Sequence, residues 1–191
     1  MPSYATLTTP SSYHLLTYGT LLGSNLFQTF MNGPIAYTAL PRAQFSTLQQ
    51  AIFPPYFTLQ TVLPIVLALT WPGDSLGSVK LGGNALGRKD AGLAGVMAQS
   101  NFWDALVPIA VMFGTSLLNL IVLGPATTKV MRQRKHQETR DGKRYHDPGP
   151  KSTEMQRLNS SFNYIHSASS LSNLIGTGAM IFYGFVLAEK I

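Results

Sequence analysis

His166 and Ser170 stand four residues apart, one helical turn, the spacing at which an imidazole could take a proton from a hydroxyl and make it a nucleophile. The pair lacks the rest of what such chemistry needs. No paired carboxylates, Walker loop or HExxH motif accompany it. The chain has no cysteine, which removes thiol nucleophiles, thiolate metal sites and disulfides. A Ser one turn after a His also arises readily by chance, so an enzyme is not expected and no catalytic residue is assigned. The other histidines, His14, His136 and His146, show no ligand spacing, and neither a metal nor another cofactor is expected.

The elements that must position these residues follow from where charge is missing. The 191 residues carry 14 Lys and Arg, 8 Asp and Glu, and only 12% charged side chains, against about 25% in a soluble domain. Arg42 is the only charged side chain in residues 1–73, and residues 105–128 and 158–188 hold none. Water-soluble helices need charged outer faces, so lipid is the expected solvent. Four stretches are long enough for ~30 Å of hydrocarbon, or ~20 helical residues: residues 13–37, 52–71, 102–123 and 165–187. The expected fold is all-α, a polytopic membrane protein with four transmembrane helices in an antiparallel bundle. An uncharged tail of residues 1–12 precedes it, with no cleavable signal peptide visible. A Gly-rich loop (residues 72–101) and a basic polar loop (residues 124–164) interrupt it. The end of the Gly-rich loop is expected to form a short helix on the membrane surface.

Sidedness follows from counting Lys and Arg. Arg42 and nine residues of the basic loop fall on one side, ten in all, against Lys80, Arg88, Lys89 and Lys190 on the other. The short and basic loops are therefore expected in the cytosol and both termini opposite, in a eukaryotic endomembrane or mitochondrial membrane. His14 and His166 then lie at opposite faces and cannot share a metal.

Within the spans, His14, Tyr18, Asn25, Gln28 and Asn32 fall inside roughly an 80° stripe. His166, Ser170, Asn173 and Thr177 form a second stripe, extended by Met180 and Gly184. Gln28, Asn32, Gln60, Asn119, His166, Ser170 and Asn173 all land in the cytosolic half. Together they predict a polar layer, serving either as packing glue between helices or as a solute or ion path. Gly19 with Gly23, and Ser172 with Gly176, suit internal helix contacts better than a dimer seam. Gly33-Pro34 should kink or end the first helix, Pro54-Pro55 suit a first helical turn, and Pro64 and Pro108 should bend their helices. Asp104 is the one acid inside a span, near its far end. Trp71 and Trp103 are expected as interfacial anchors on that side.

The net charge of +6 is concentrated beside a span, which favours anionic lipid headgroups over nucleic acid. Lys129, Arg132, Arg134 and Lys135 are the expected headgroup contacts, unless the segment only sets topology. A protein partner or a homo-oligomer is compatible with the same loop.

With the spans placed, Leu40-Pro41-Arg42, Phe45, Gln49, Phe53-Pro54 and Tyr56-Phe57 resemble the first hairpin of the transmembrane protein 205 family. His14-Leu15-Leu16 with Gly19, and Thr29-Phe30 with Gly33, fit its first span. Pro125, Thr127-Thr128 and Met131 fit the exit from its third, while Phe162, His166-Ser167, Ser169-Ser170-Leu171 and Asn173-Leu174 fit its last. The likeness covers about two-thirds of the chain and is closest to fungal members. It implies a small four-span membrane protein with no established biochemical activity, and it marks Arg42, His14, His166, Ser170 and Asn173 as motif positions.

Overall fold

The computed structural model describes residues 7, 9–73 and 91–190, without the side chain of residue 190. Most of the expected tail and the centre of the Gly-rich loop, with Lys80, Arg88 and Lys89, lie outside these residues. Among the described residues every regular element is helical. Helix α1, Pro10–Leu26, passes through a π-turn, Phe27–Asn32, into α2, Gly33–Ala39. Leu40 turns the chain in extended conformation and Pro41 caps α3, Arg42–Leu69. The turn is held from both sides. Tyr37 meets Phe45 edge-on at 5.3 Å, and the Arg42 guanidinium lies 3.6 Å from the Tyr37 ring centre.

After the undescribed stretch comes α4, Gly92–Val96, then a 3-10 turn and a second π-turn, Phe102–Leu106. Helix α5, Val107–Leu118, continues through a third π-turn, Asn119–Leu123, into α6, Gly124–Asp141. Gly142, at φ 63°, ends α6 in the left-handed conformation, and α7 runs unbroken over Thr153–Lys190.

Each π-turn ends two residues before a proline. Gly33, Val107 and Gly124 donate their N–H groups five residues back, to the carbonyls of Gln28, Phe102 and Asn119, and Pro34, Pro108 and Pro125 follow. In a regular α-helix a proline ring collides with the carbonyl four residues earlier. One extra residue in the turn moves that carbonyl aside. The first helix therefore carries on past Gly33-Pro34, where a kink or an end was expected. Pro54 and Pro55 lie inside α3 rather than in its first turn, because the helix already begins at Arg42.

This geometry also explains one glycine. A Cβ on Gly124 would stand 2.7 Å from the Asn119 carbonyl oxygen, whereas one on Gly23 meets nothing within 4 Å. Gly124→Ala is expected to destabilise the bundle by about 1–2 kcal/mol, and Gly23→Ala to be neutral or slightly stabilising. Reversible unfolding in mixed micelles measures both. Gly19 is as open as Gly23, so this GxxxG faces away from the bundle and not into the internal contact expected of it.

Cross-helix hydrogen bonds set the directions. His14 pairs with Thr70 and Asn25 with Tyr56, so α1 and α3 are antiparallel. His14 with Tyr183 and Asn25 with Thr177 make α1 and α7 antiparallel, and Thr115 with Ser172 and Asn119 with Ser169 do the same for α5 and its continuation against α7. The apolar core is concentrated at the His14 end, where Leu21, Leu67, Trp71, Val96, Ala105, Ile109 and Met112 pack with Met180, Tyr183 and Leu187. Val96 brings α4 into this core, and the Gly92 N–H bonds the Trp71 carbonyl at 2.7 Å. The short helix thus packs onto the bundle end. Trp71 is wholly buried, in contrast to the expected anchor, while Trp103 is 70% exposed.

Among the described residues three helices are long and apolar enough to cross a membrane: Arg42–Leu69, Gln99–Asp141 and Thr153–Glu189. The first helical stretch, residues 10–39, is not among them. Asn25, Gln28 and Asn32, with its Gly, Ser and Thr residues, lower its apolarity although its length suffices.

Candidate functional site

The polar side chains of the helices sort into tiers between them. At the far end both ring nitrogens of His14 are engaged, Nε2 at 2.7 Å from Tyr183 Oη and Nδ1 at 3.1 Å from Thr70 Oγ1. The ring stands edge-on to Trp71 at 5.9 Å. One turn on, the Tyr18 hydroxyl donates to the Met180 carbonyl at 3.0 Å.

The middle tier links three helices. Asn25 Nδ2 donates to Tyr56 Oη at 3.1 Å and to Asn173 Oδ1 at 3.3 Å. Tyr56 donates to Asn173 Oδ1 at 3.2 Å, and Asn173 Nδ2 donates to Thr29 Oγ1 at 3.0 Å. The Thr177 hydroxyl stands 2.8 Å from both Asn25 Oδ1 and the Asn173 carbonyl. Beside this cluster Gln60 Nε2 reaches Ser24 Oγ at 2.9 Å and the Leu21 carbonyl at 3.3 Å. Gln60 is 1% exposed, and its Oε1 meets no donor among the described residues. On the α5 side, Ser169 donates to Asn119 Oδ1 at 2.6 Å and Ser172 to the Thr115 carbonyl at 3.1 Å.

Set against the expected layer, Gln28, Asn32, Gln60, Asn119 and Asn173 are turned inward or half-buried, but they do not join into one network. The Gln28 side chain bonds Asn32, at 2.8 Å within the first π-turn, and reaches no other helix among the described residues. His166 and Ser170 are exposed, and the His166 ring lies flat on Phe162, 5.4 Å away at 10°. Thr115 joins the cross-helix contacts without having been singled out from the sequence, and Tyr56, Thr29 and Ser169, marked only by the family resemblance, lie outside the polar layer drawn from spacing. Tyr56 hides among the aromatics Phe53 and Phe57, and threonines look like ordinary span residues.

A second place of interest is the hairpin made by α6 and the start of α7. Its connection, residues 142–152, takes in most of a stretch (residues 141–150) whose Gly and Pro content reads as a turn-rich linker, and it is clasped. Asp141 accepts from Gln137 at 2.9 Å and from Ser152 at 2.7 Å, and Glu138 accepts the Tyr145 N–H at 2.9 Å. Lys151 Nζ donates to the Tyr145 and Asp147 carbonyls. Arg134 is only 8% exposed, its guanidinium 3.8 Å from the Tyr145 ring centre and 4.6 Å from that of Phe162. Of the four expected headgroup contacts, Lys129, Arg132 and Lys135 are therefore exposed, and Arg134 instead pins the hairpin.

Comparison with known proteins adds two findings. A family described as a domain of unknown function, DUF4149, matches residues 16–136. Xanthocillin biosynthesis cluster protein D of Aspergillus fumigatus is 31% identical over 179 residues, covering 94% of this chain and 89% of that protein. No solved structure matches.

Proposed function

We propose that this chain, which belongs to the DUF4149 family, is a non-enzymatic multi-pass integral membrane protein that acts through helix packing and through lipid or partner contacts. We further propose, on the motifs of its two hairpins, that it is akin to the transmembrane protein 205 family. The proposal takes all four helical stretches as spans. The first, too polar to stand in lipid alone, is held by His14, Tyr18 and Asn25 against its neighbours. Both termini face away from the cytosol, and the membrane end of the basic hairpin meets anionic headgroups through Lys129.

The observation that carries this reading is the Asn25–Tyr56–Asn173–Thr29 cluster. Amides and hydroxyls in hydrocarbon must find partners, and here they find one another across three helices, which leaves them little to offer a passing solute. The relative named for a xanthocillin biosynthesis cluster extends the partner side of the proposal to proteins of a biosynthetic pathway. A solute or ion pathway is the second reading, favoured by the unmatched, buried Gln60 Oε1.

Flux into proteoliposomes separates the two. Vesicles holding the protein are expected to take up alkali cations, chloride and protons no faster than empty vesicles. Uptake well above that background, abolished by Gln60→Leu in a folded variant, would establish the pathway.

A further inference from the structure

The geometry points to the outward face of α6 as a docking face for an acidic helical segment of another protein, an inference that rests on the membrane placement above. Lys129, Arg132, Lys135, His136 and Arg140 are all exposed and fall within roughly 140° of the helix surface at 100° per residue. Val130 and Arg134 point the other way, buried against the rest of the hairpin.

The charge on this face is not neutralised from within. The acids of α6 are on the opposite side and occupied, Glu138 with the Tyr145 N–H and Asp141 with Gln137 and Ser152. The single ion pair among the described residues, Arg157 with Glu154, is elsewhere on the hairpin.

The face also stands upright. Helix α6 continues α5 through one π-turn, and α7 has no break between hairpin and span, so the array follows the bundle axis. With exposed Trp103 at the far interface, ~30 Å of hydrocarbon ends near residue 123 and the headgroups near residue 127. Lys129 is then at the edge of the headgroups, while Arg132 to Arg140 stand roughly 5–16 Å further out, in water. A flat lipid surface cannot touch all of them together. One cationic group per turn along a strip ~16 Å long matches one helix that carries Glu or Asp at the same pitch. A second copy cannot supply it. The eight acids of this chain are scattered, with only Glu138 and Asp141 within one turn of each other, and both are occupied.

The test uses the full chain in nanodiscs of neutral phosphatidylcholine at low salt. The probe is a synthetic helical peptide with Glu along one face, compared with a composition-matched peptide whose Glu residues are spread around the helix. The face-patterned peptide is expected to bind at least about fivefold more tightly, and an Arg132→Gln, Lys135→Gln, Arg140→Gln variant to lose roughly tenfold or more. Equal binding of the two peptides, or binding indifferent to the three substitutions, would overturn the inference, as would a short RNA outcompeting the peptide.

Because the chain has no cysteine, labels at Lys135→Cys and Arg140→Cys report depth cleanly. They should remain accessible to aqueous quenchers when phosphatidylserine is added. Burial among headgroups would make the membrane the occupant and also overturn the inference. Labels at Arg42→Cys and Lys135→Cys on opposite sides of the bilayer would instead defeat the underlying membrane placement, whatever the peptides do.

Discussion

Asn173→Leu is expected to cost the bundle about 2 kcal/mol, while Ser170→Leu, three residues away on the same helix, changes stability by less than about 0.5 kcal/mol. Asn173 makes three side-chain hydrogen bonds, with Asn25, Tyr56 and Thr29. Cross-helix bonds in membrane proteins are worth ~0.6 kcal/mol each on average, so losing three accounts for most of the figure. The rest comes from leaving the Thr29 hydroxyl without its donor. Ser170 is exposed, and Leu there faces the surroundings of the bundle, where an apolar side chain suits lipid. Reversible unfolding of both variants in mixed micelles measures the difference. Equal losses would mean that Asn173 is not the junction of the middle tier, and the packing reading would lose its main support.

The contrast between these two residues shows where periodicity is informative and where it fails. For the first helix a single polar stripe was legible because α1 makes its polar contacts through one narrow face. His14, Asn25 and Gln28 are buried there, and Tyr18 reaches the Met180 carbonyl. Helix α7 has two inward faces. Asn173, Thr177 and Tyr183 turn toward α1, whereas Ser169, Ser172 and Gly176 turn toward α5. A stripe drawn through His166, Ser170 and Asn173 averages these faces and takes in residues that belong to neither. No spacing rule within one helix can reveal that, because the second face is defined by a partner fifty or more residues away in sequence.

The hairpin teaches the same lesson through charge. Arg134 resembles its neighbours Arg132 and Lys135 in composition and exposure pattern until Tyr145 is brought back over it. That return depends on the Gly142 turn, on the Asp141–Ser152 bond and on Lys151 holding two carbonyls. Gly and Pro in residues 142–150 signal a turn without saying which side chain it will cover. The π-turns were likewise beyond sequence reasoning in their details. A proline within a helix announces a disturbance, and whether the helix kinks, ends or widens by one residue is decided by the packing on either side.

Gly184→Ala is expected to be the most damaging methyl addition among the described glycines, at about 3 kcal/mol. A Cβ at this position would fall well inside van der Waals contact with the Tyr18 hydroxyl and 3.1 Å from its Cζ. Tyr18 cannot simply rotate away. Its hydroxyl donates to Met180, and its ring meets Tyr183 edge-on at 5.8 Å, with Tyr183 in turn bonded to His14. The displacement therefore spreads through the whole far-end tier. Removing the obstructing oxygen should relieve most of it. Tyr18→Phe alone loses one hydrogen bond, about 1 kcal/mol, yet the Gly184→Ala, Tyr18→Phe double variant should be more stable than Gly184→Ala by at least about 1 kcal/mol. Residual strain remains because the ring carbon is still close. Gly178→Ala is the control, since a methyl there meets nothing within 4 Å and should be neutral or slightly stabilising. Additive losses in the double variant would show that Tyr18 does not occupy the slot opposite Gly184. The polar seam that holds the first helix to the last would then have to be redrawn.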